Sequence, residues 1–514
     1  MYIPRPLPTT NTARALTLSV LVLLSGCTTL GPDFEPAKVD APASWTDWHS
    51  GGQSLDELTI DSSTVPAERW WREFEDPVLD RLEQRLLEAS PDLQSALLNF
   101  TRSRLQRQVA VSARGVAIDA SGGANRQKLS EHGAQVRMAA ISAPANKDAL
   151  ISALAEPYTL YQVGFDAGWE LDLWGRISRR IESAEADSRA SAALLAQAWL
   201  GLTAELARNY FELRALQRQR ALLEAEIANG EDQLALLEAN RDAGLVREQA
   251  LDSQRIQLDE LRAGLPPLGR RSVETANAIA LMLGGRPGSV GGLLDANGST
   301  NEPIPNTDLS LGLPSELARR RPDIRVAEAQ LHAATADIGV AMGDLYPRIT
   351  LQAGLGLESY EQGAFADWAS RRWSIGPGFY LPIFNQGRLK TRVELTKVAQ
   401  QQAAVSYQQT ILKAWQEVDN ALSAYSAEQS RYRQLQGKLE SALSQHRLIA
   451  ANRQAGLVDT SVELQAQRQV LLVERQLVES RAALRIQRIA VYKAVGGGID
   501  SQQTTDEQGG EDES

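Results

Sequence analysis

The sequence predicts an α+β membrane protein built from two tandem structural repeats, each a helix, a β-hairpin, a long helix and a return helix. Three observations predict it. An internal repeat holds one register for more than 100 residues. Three segments alternate apolar and polar residues with period two, and a fourth does so weakly. The N-terminus carries a bacterial lipid-attachment signature, and no later run reaches the ~18 apolar residues of a transmembrane helix.

Residues 1–26 read as a lipoprotein signal peptide. Arg5 and Arg14 supply its positive region, Ala15 to Leu24 its short apolar run, and Leu24-Ser25-Gly26-Cys27 its cleavage box. Cys27 is then the acylated first residue of the mature chain, and its covalent lipid is the one non-protein group expected. Thr28 stands where an Asp retains many bacterial lipoproteins in the inner membrane, so the outer membrane is expected. Cys27 is the only cysteine, which leaves no internal disulfide and no thiolate metal site. The formal charge of −11 becomes −13 once Arg5 and Arg14 are removed. An acidic chain of this kind is no partner for nucleic acid.

Residues 27–75 are an anchor and connecting segment. Repeat 1 spans 76–295. Its first helix, about 76–113, is interrupted at Pro91, and Leu79, Leu82, Leu86, Leu93, Leu97 and Leu98 fall on a helical period. A weak strand near Val116, Ile118 and Ala120 follows, then a long loop. Next comes a strand over 161–171, where Tyr161, Val163, Phe165, Ala167, Trp169 and Leu171 alternate with Gln162, Gly164, Asp166, Gly168 and Glu170. A helix over 178–243 has 66 residues, about 100 Å at 1.5 Å per residue. A turn at 240–246 leads to a return helix ending at Gly284-Gly285, kinked by Gly264, Pro266 and Pro267.

A linker over 296–314 leads to repeat 2, 315–498. Its helices are expected near 315–345, 388–455 and 458–495. Its strands are 349–357, alternating Ile349, Leu351, Ala353, Leu355 and Leu357 with polar or glycine residues, and a set through Trp373, Ile375, Pro377, Phe379 and Leu381. At an offset of 212, Ala239 to Val246 agrees with Ala451 to Val458 at seven of eight positions. The front halves align at 231 instead, Pro91-Asp92 on Pro322-Asp323, so the hairpin loops differ in length. Residues 499–514, with six acids and no base, read as a disordered acidic tail.

One apolar and one polar strand face suits a lipid-facing barrel with a wet interior. A half-buried soluble sheet alternates identically; the lipid-attachment box favours the barrel. Four strands do not close a barrel, since the smallest have about eight. An open edge in lipid leaves backbone groups unpaired. Several chains must therefore share one barrel.

Leu313-Pro314-Ser315-Glu316-Leu317 with Arg319-Arg320-Arg321-Pro322-Asp323-Ile324 resembles the outer membrane factors of the TolC family, in the lipoprotein branch typified by OprM and NodT. Ala327 to Leu331, Ile338 to Ala341, Gly31-Pro32-Asp33-Phe34 and Trp70-Trp71 extend the resemblance across the mature chain. The resemblance implies a homotrimer sharing a twelve-stranded outer-membrane barrel, continued by a periplasmic helical barrel. It implies an exit duct for small toxic compounds or drugs, served by a periplasmic adaptor (membrane fusion protein) and an inner-membrane pump. Type I protein secretion and metal efflux are alternative roles, and a structural envelope lipoprotein is another. The resemblance assigns the adaptor-contact tips to Gly244, Leu245, Val246, Gly456, Leu457 and Val458. It also implies an acidic constriction near Asp252, Asp459 and Glu463. There this chain departs from the pattern Leu-Asp-Ala-Gln-Arg, because Leu464 to Arg468 carries Gln465 in place of the acid.

Little supports catalysis. The four histidines, His49, His132, His332 and His446, show no metal-ligand spacing, and no Gly-rich phosphate loop follows a strand. Arg319 to Arg321 is read as a helix-capping or intersubunit cluster rather than an anion site.

Overall fold

A computed structural model describes residues 29–36, 40–45, 47–50, 55, 58–142, 144–294 and 308–497. The signal peptide, Cys27, most of the 296–314 linker and the acidic tail lie outside the described residues.

In chain order the elements are β1 (Ile60–Asp61), α1 (Pro77–Ala89), α2 (Pro91–Ser112), β2 (Ala117–Gln127), α3 (Ala134–Ser142), α4 (Lys147–Leu154), β3 (Tyr158–Leu171), α5 (Arg176–Asp242), α6 (Glu248–Ala263), α7 (Leu265–Met282), α8 (Gly291–Leu294), β4 (Leu309–Ser310), α9 (Leu317–Arg320), α10 (Pro322–Gly343), β5 (Arg348–Ser359), β6 (Arg371–Tyr380), α11 (Arg388–Gln454) and α12 (Thr460–Ala494). Each expected strand and long helix is present. The β2–β3 connection, residues 128–157, is 19 residues longer than the β5–β6 connection, 360–370, and 19 is the difference between the offsets 231 and 212.

Two expectations need correction. The helix expected over 315–345 breaks before Pro322, because proline has no amide to donate and its ring disfavours a helical preceding residue; Arg321 is extended, with ψ of 121°. The expected long loop after β2 is not bare: it contains α3 and α4.

The chain divides into two compact units. The unit of Ser103–Ser188, Gln330–Ala403 and the chain up to Glu35 contains the antiparallel sheet, in the order β2-β3-β5-β6. Its N-terminal segment seats on the start of α5 and on α10. Leu30 donates its backbone N–H to the Trp174 carbonyl at 3.1 Å, Arg179 reaches Asp33 at 2.6 Å, and Phe34 stacks on His332 at 4.3 Å. Gly31 and Gly339 allow this close seating: a Cβ on Gly31 would lie 2.6 Å from the Gly339 Cα. This is a physical reason for the Gly31-Pro32-Asp33-Phe34 motif.

The other unit, Pro36–Arg102, Arg189–Ala329 and Ala404 onward, has the large apolar core. Asp76 caps α1 by accepting from the Val78 and Leu79 amides at 2.8 and 3.1 Å. That start directs Leu79, Leu82 and Leu86 inward against Trp70, Phe74, Leu206, Tyr210, Phe211, Ile279 and Tyr492. One window of α5 is apolar enough by length and composition to cross a membrane. The same helix buries Leu206, Ala207, Tyr210 and Phe211 in this core.

The repeat also builds one junction twice. α7 ends in Gly284 (φ 67°), where a Cβ would lie 2.7 Å from the Ala89 carbonyl, just before Pro91. α12 ends in Gly496 (φ 93°), where a Cβ would lie 3.1 Å from the Arg321 backbone, just before Pro322. The return helix therefore meets the broken first helix in both halves. Arg321 caps the second junction by donating to the Ala494 carbonyl at 2.6 Å while pairing with Asp323 and Glu417 at 2.7 and 2.6 Å. That is the helix-capping role read from the sequence. The kink expected in the first return helix separates α6 from α7 at Gly264, whereas α12 runs 35 residues unbroken.

Candidate functional site: an exposed sheet and two helix tips

Registers fix the two faces of the sheet. Phe165 lies opposite Ala120 and Leu355, and Leu355 opposite Trp373. On the other face Asp166 lies opposite Asp119 and Gly354, and Gly354 opposite Ser374. Among the described residues nothing covers the apolar face: Phe165 is 61 % exposed and Trp373 70 %. A half-buried soluble sheet would hide these rings. β2 and β6 are open edges, and every residue of β2 is exposed. The strands are 10 to 14 residues long, enough to cross a hydrocarbon core when tilted.

The two tips are Schellman turns. At the end of α5, Gly244 (φ 76°) donates its N–H to the Arg241 carbonyl and Leu245 donates to Asn240, both at 2.8 Å. At the end of α11, Gly456 (φ 71°) donates to Arg453 and Leu457 to Asn452, both at 2.9 Å. The left-handed glycine turns each chain end outward, so Leu245 is 74 % exposed and Leu457 73 %, with Val246 and Val458 half-buried beside them.

The acids beyond the tips are held within their own hairpins. Asp252 is exposed and lies 3.4 Å from Arg255, which also approaches Glu248 and Glu238 at 3.4 and 3.5 Å. Glu463, in the first turn of α12, pairs with Arg453 near the end of α11. Asp459 is the exposed N-cap residue of α12, and Gln465 is exposed two residues after Glu463.

Sequence reasoning missed a set of ties between the hairpins. Asn229 of α5 donates to Gln467 of α12 at 3.2 Å, and Arg468 of α12 donates to Gln257 of α6 at 2.8 Å. Arg475 of α12 lies 3.4 Å from Glu226 of α5, whose side chain is fully buried. Burial pushes the Glu226 carboxyl above its ordinary value, and the nearby Arg475 and Arg468 offset this only in part. No local pattern marks these residues, because their partners lie more than 200 positions away.

The chain matches the family described as Outer membrane efflux protein over residues 82–285 and 313–497, one stretch per repeat. It is 29 % identical over 494 residues to the pyoverdine export outer membrane protein OpmQ of Pseudomonas aeruginosa, covering 95 % of this chain and 98 % of that protein. It is 27 % identical over 492 residues to the toluene efflux pump outer membrane protein TtgI of Pseudomonas putida, covering 94 % and 98 %. Among solved structures, the outer-membrane channel OprN superposes with a TM-score of 0.78 at 30 % identity, over 92 % of this chain and 99 % of that one. The CmeC outer membrane channel of Campylobacter jejuni gives 0.80 at 20 % identity, over 94 % and 98 %, a likeness of fold. This chain belongs to the outer membrane efflux protein family.

Proposed function

We propose that the chain is the outer-membrane channel of a tripartite efflux system. It is a passive exit duct for small toxic compounds or drugs, delivered by an inner-membrane pump through a periplasmic adaptor. The observation that carries this reading is the uncovered apolar sheet face between two open edges. Lipid satisfies the face, and only neighbouring copies satisfy the edges. Three chains with four strands each give a twelve-stranded barrel. Relatives named for solvent efflux and pyoverdine export support the cargo class.

In this reading the lipid on Cys27 holds the mature N-terminus at the membrane. Gly244, Leu245, Val246, Gly456, Leu457 and Val458 form the adaptor contacts, because the Schellman turns present their leucines to solvent. Asp252, Asp459, Glu463 and Gln465 line the periplasmic constriction. No chemistry is performed on the cargo.

The test is deletion and complementation. Loss of the gene should raise susceptibility to apolar toxicants, and the wild-type chain should restore resistance. A variant carrying Leu245→Glu and Leu457→Glu should reach the outer membrane yet fail to restore it. Full restoration by that variant would refute the tip assignment, and no susceptibility change on deletion would refute the efflux role.

A further inference from the structure

The apolar face of the sheet carries two charged residues, and both are arginines. In the observed registers that face is formed by Ile118, Ala120 and Ala124 of β2 with the odd-numbered residues of β3, β5 and β6. Its charges are Arg126, next to last in β2, and Arg371, first in β6. Both stand at the loop end of the sheet, away from the ends that join α2, α5, α10 and α11. The helix end of the same face has none; it closes with Trp169, Leu171, Ile349 and Phe379.

The neighbouring Arg372 shows how different Arg371 is. Arg372 lies on the polar face and approaches Glu358 at 3.7 Å. The Arg371 guanidinium instead lies 3.9 Å over the ring of Trp368, itself 78 % exposed. Among the described residues neither Arg126 nor Arg371 has a carboxylate partner. A guanidinium on a lipid-facing surface is tolerated near the headgroups, and its planar fork suits phosphate oxygens. A ring beneath it fixes the plane without neutralising the charge.

We propose that this rim binds the phosphate groups of outer-leaflet glycolipids, with Arg126 of one chain and Arg371 of the next as the two cations. The proposal rests on the shared-barrel reading above. Arg126 and Arg371 belong to opposite edge strands, so closing the barrel sets the loop end of one chain's β2 beside the loop end of its neighbour's β6. The one-sided placement of charge matches a membrane whose outer leaflet carries phosphorylated glycolipid.

The experiment uses the full-length acylated protein in detergent. It is exposed either to diphosphoryl lipid A or to its dephosphorylated counterpart, and native mass spectrometry counts retained lipid. Wild type should retain the diphosphoryl form in preference, and millimolar inorganic phosphate should not displace it. R126Q/R371Q should retain about tenfold less, the loss expected for removing charge-assisted contacts. R372Q should behave as wild type. If the double variant does not assemble, R371Q alone is read the same way. Equal retention of the two lipid forms by wild type, undiminished retention by the variants, or displacement by inorganic phosphate would each overturn the proposal. Assembly is read in the same spectra. A chain that is only monomeric refutes the shared barrel and the rim site with it. Trimers without phosphate-dependent retention refute the rim site alone.

Discussion

Releasing the ties between the two hairpins should open the duct. Widening the tips by moving α12 away from α5 and α6 must break the Asn229–Gln467 and Arg468–Gln257 hydrogen bonds. The double variant Gln257→Ala, Gln467→Ala removes both without changing any charge. Each bond is worth about 0.5–1.5 kcal/mol, so the pair stabilises the tied arrangement by roughly 1–3 kcal/mol per chain. That corresponds to a 5- to 150-fold shift between two states, in approximate terms. Arg475 and Glu226 remain, so the hairpins should stay associated. The assay is single-channel recording in planar bilayers, with trimer content checked on unboiled gels. Open probability should rise at least about fivefold. Intact trimers with open probability unchanged would refute the view that these ties hold the tips together.

Gly244→Ala should cost about 1–2 kcal/mol, the left-handed backbone penalty alone, because its Cβ would enter open space. Gly284→Ala should cost more, since its Cβ would also lie 2.7 Å from the Ala89 carbonyl; equal losses in thermal unfolding would contradict that close approach. Glu83 is fully buried, its two carboxylate oxygens have no hydrogen-bond partner among the described residues, and burial, with Asp80 nearby, raises its carboxyl well above the ordinary value. A raised folded value means that folding favours the protonated acid. Stability should therefore fall as pH rises from the ordinary glutamate range toward the raised value, and Glu83→Gln should flatten that fall. Parallel pH–stability profiles for the two proteins would rule this out. Cys27→Ser should abolish incorporation of labelled palmitate during growth; retained label would remove Cys27 as the acylation site.

Much of the fold was legible because it rests on local rules. Pro91 and Gly264 with Pro266 and Pro267 break helices wherever they stand, and glycines 244 and 456 mark left-handed turns. The Pro322 break was legible too, since Pro322 aligns with Pro91, where the first helix was read as interrupted. β2 was weak in sequence because Gly122 and Gly123 interrupt its alternation. α3 and α4 are short and not strongly amphipathic, so nothing in their period separates them from loop. The candidate gate was legible only in part. Asp252 and Glu463 stand out as acids near a turn; Asp252 meets Arg255 at i,i+3 on its own helix, but the pairing of Glu463 with Arg453 is set by the hairpin fold. Glu226 and Arg488 look like solvated helix residues in sequence. The structure buries Glu226 against Arg475 and Arg488 against Glu73, partners that only tertiary packing supplies.

One chain supplies an open sheet that becomes a barrel only with its copies. Native mass spectrometry of the full-length protein, extracted from the outer membrane in mild detergent, tests it most directly. Assemblies of three chains are expected, with no folded monomer. A folded single chain, its four-stranded sheet intact and conducting alone in a bilayer, would contradict it.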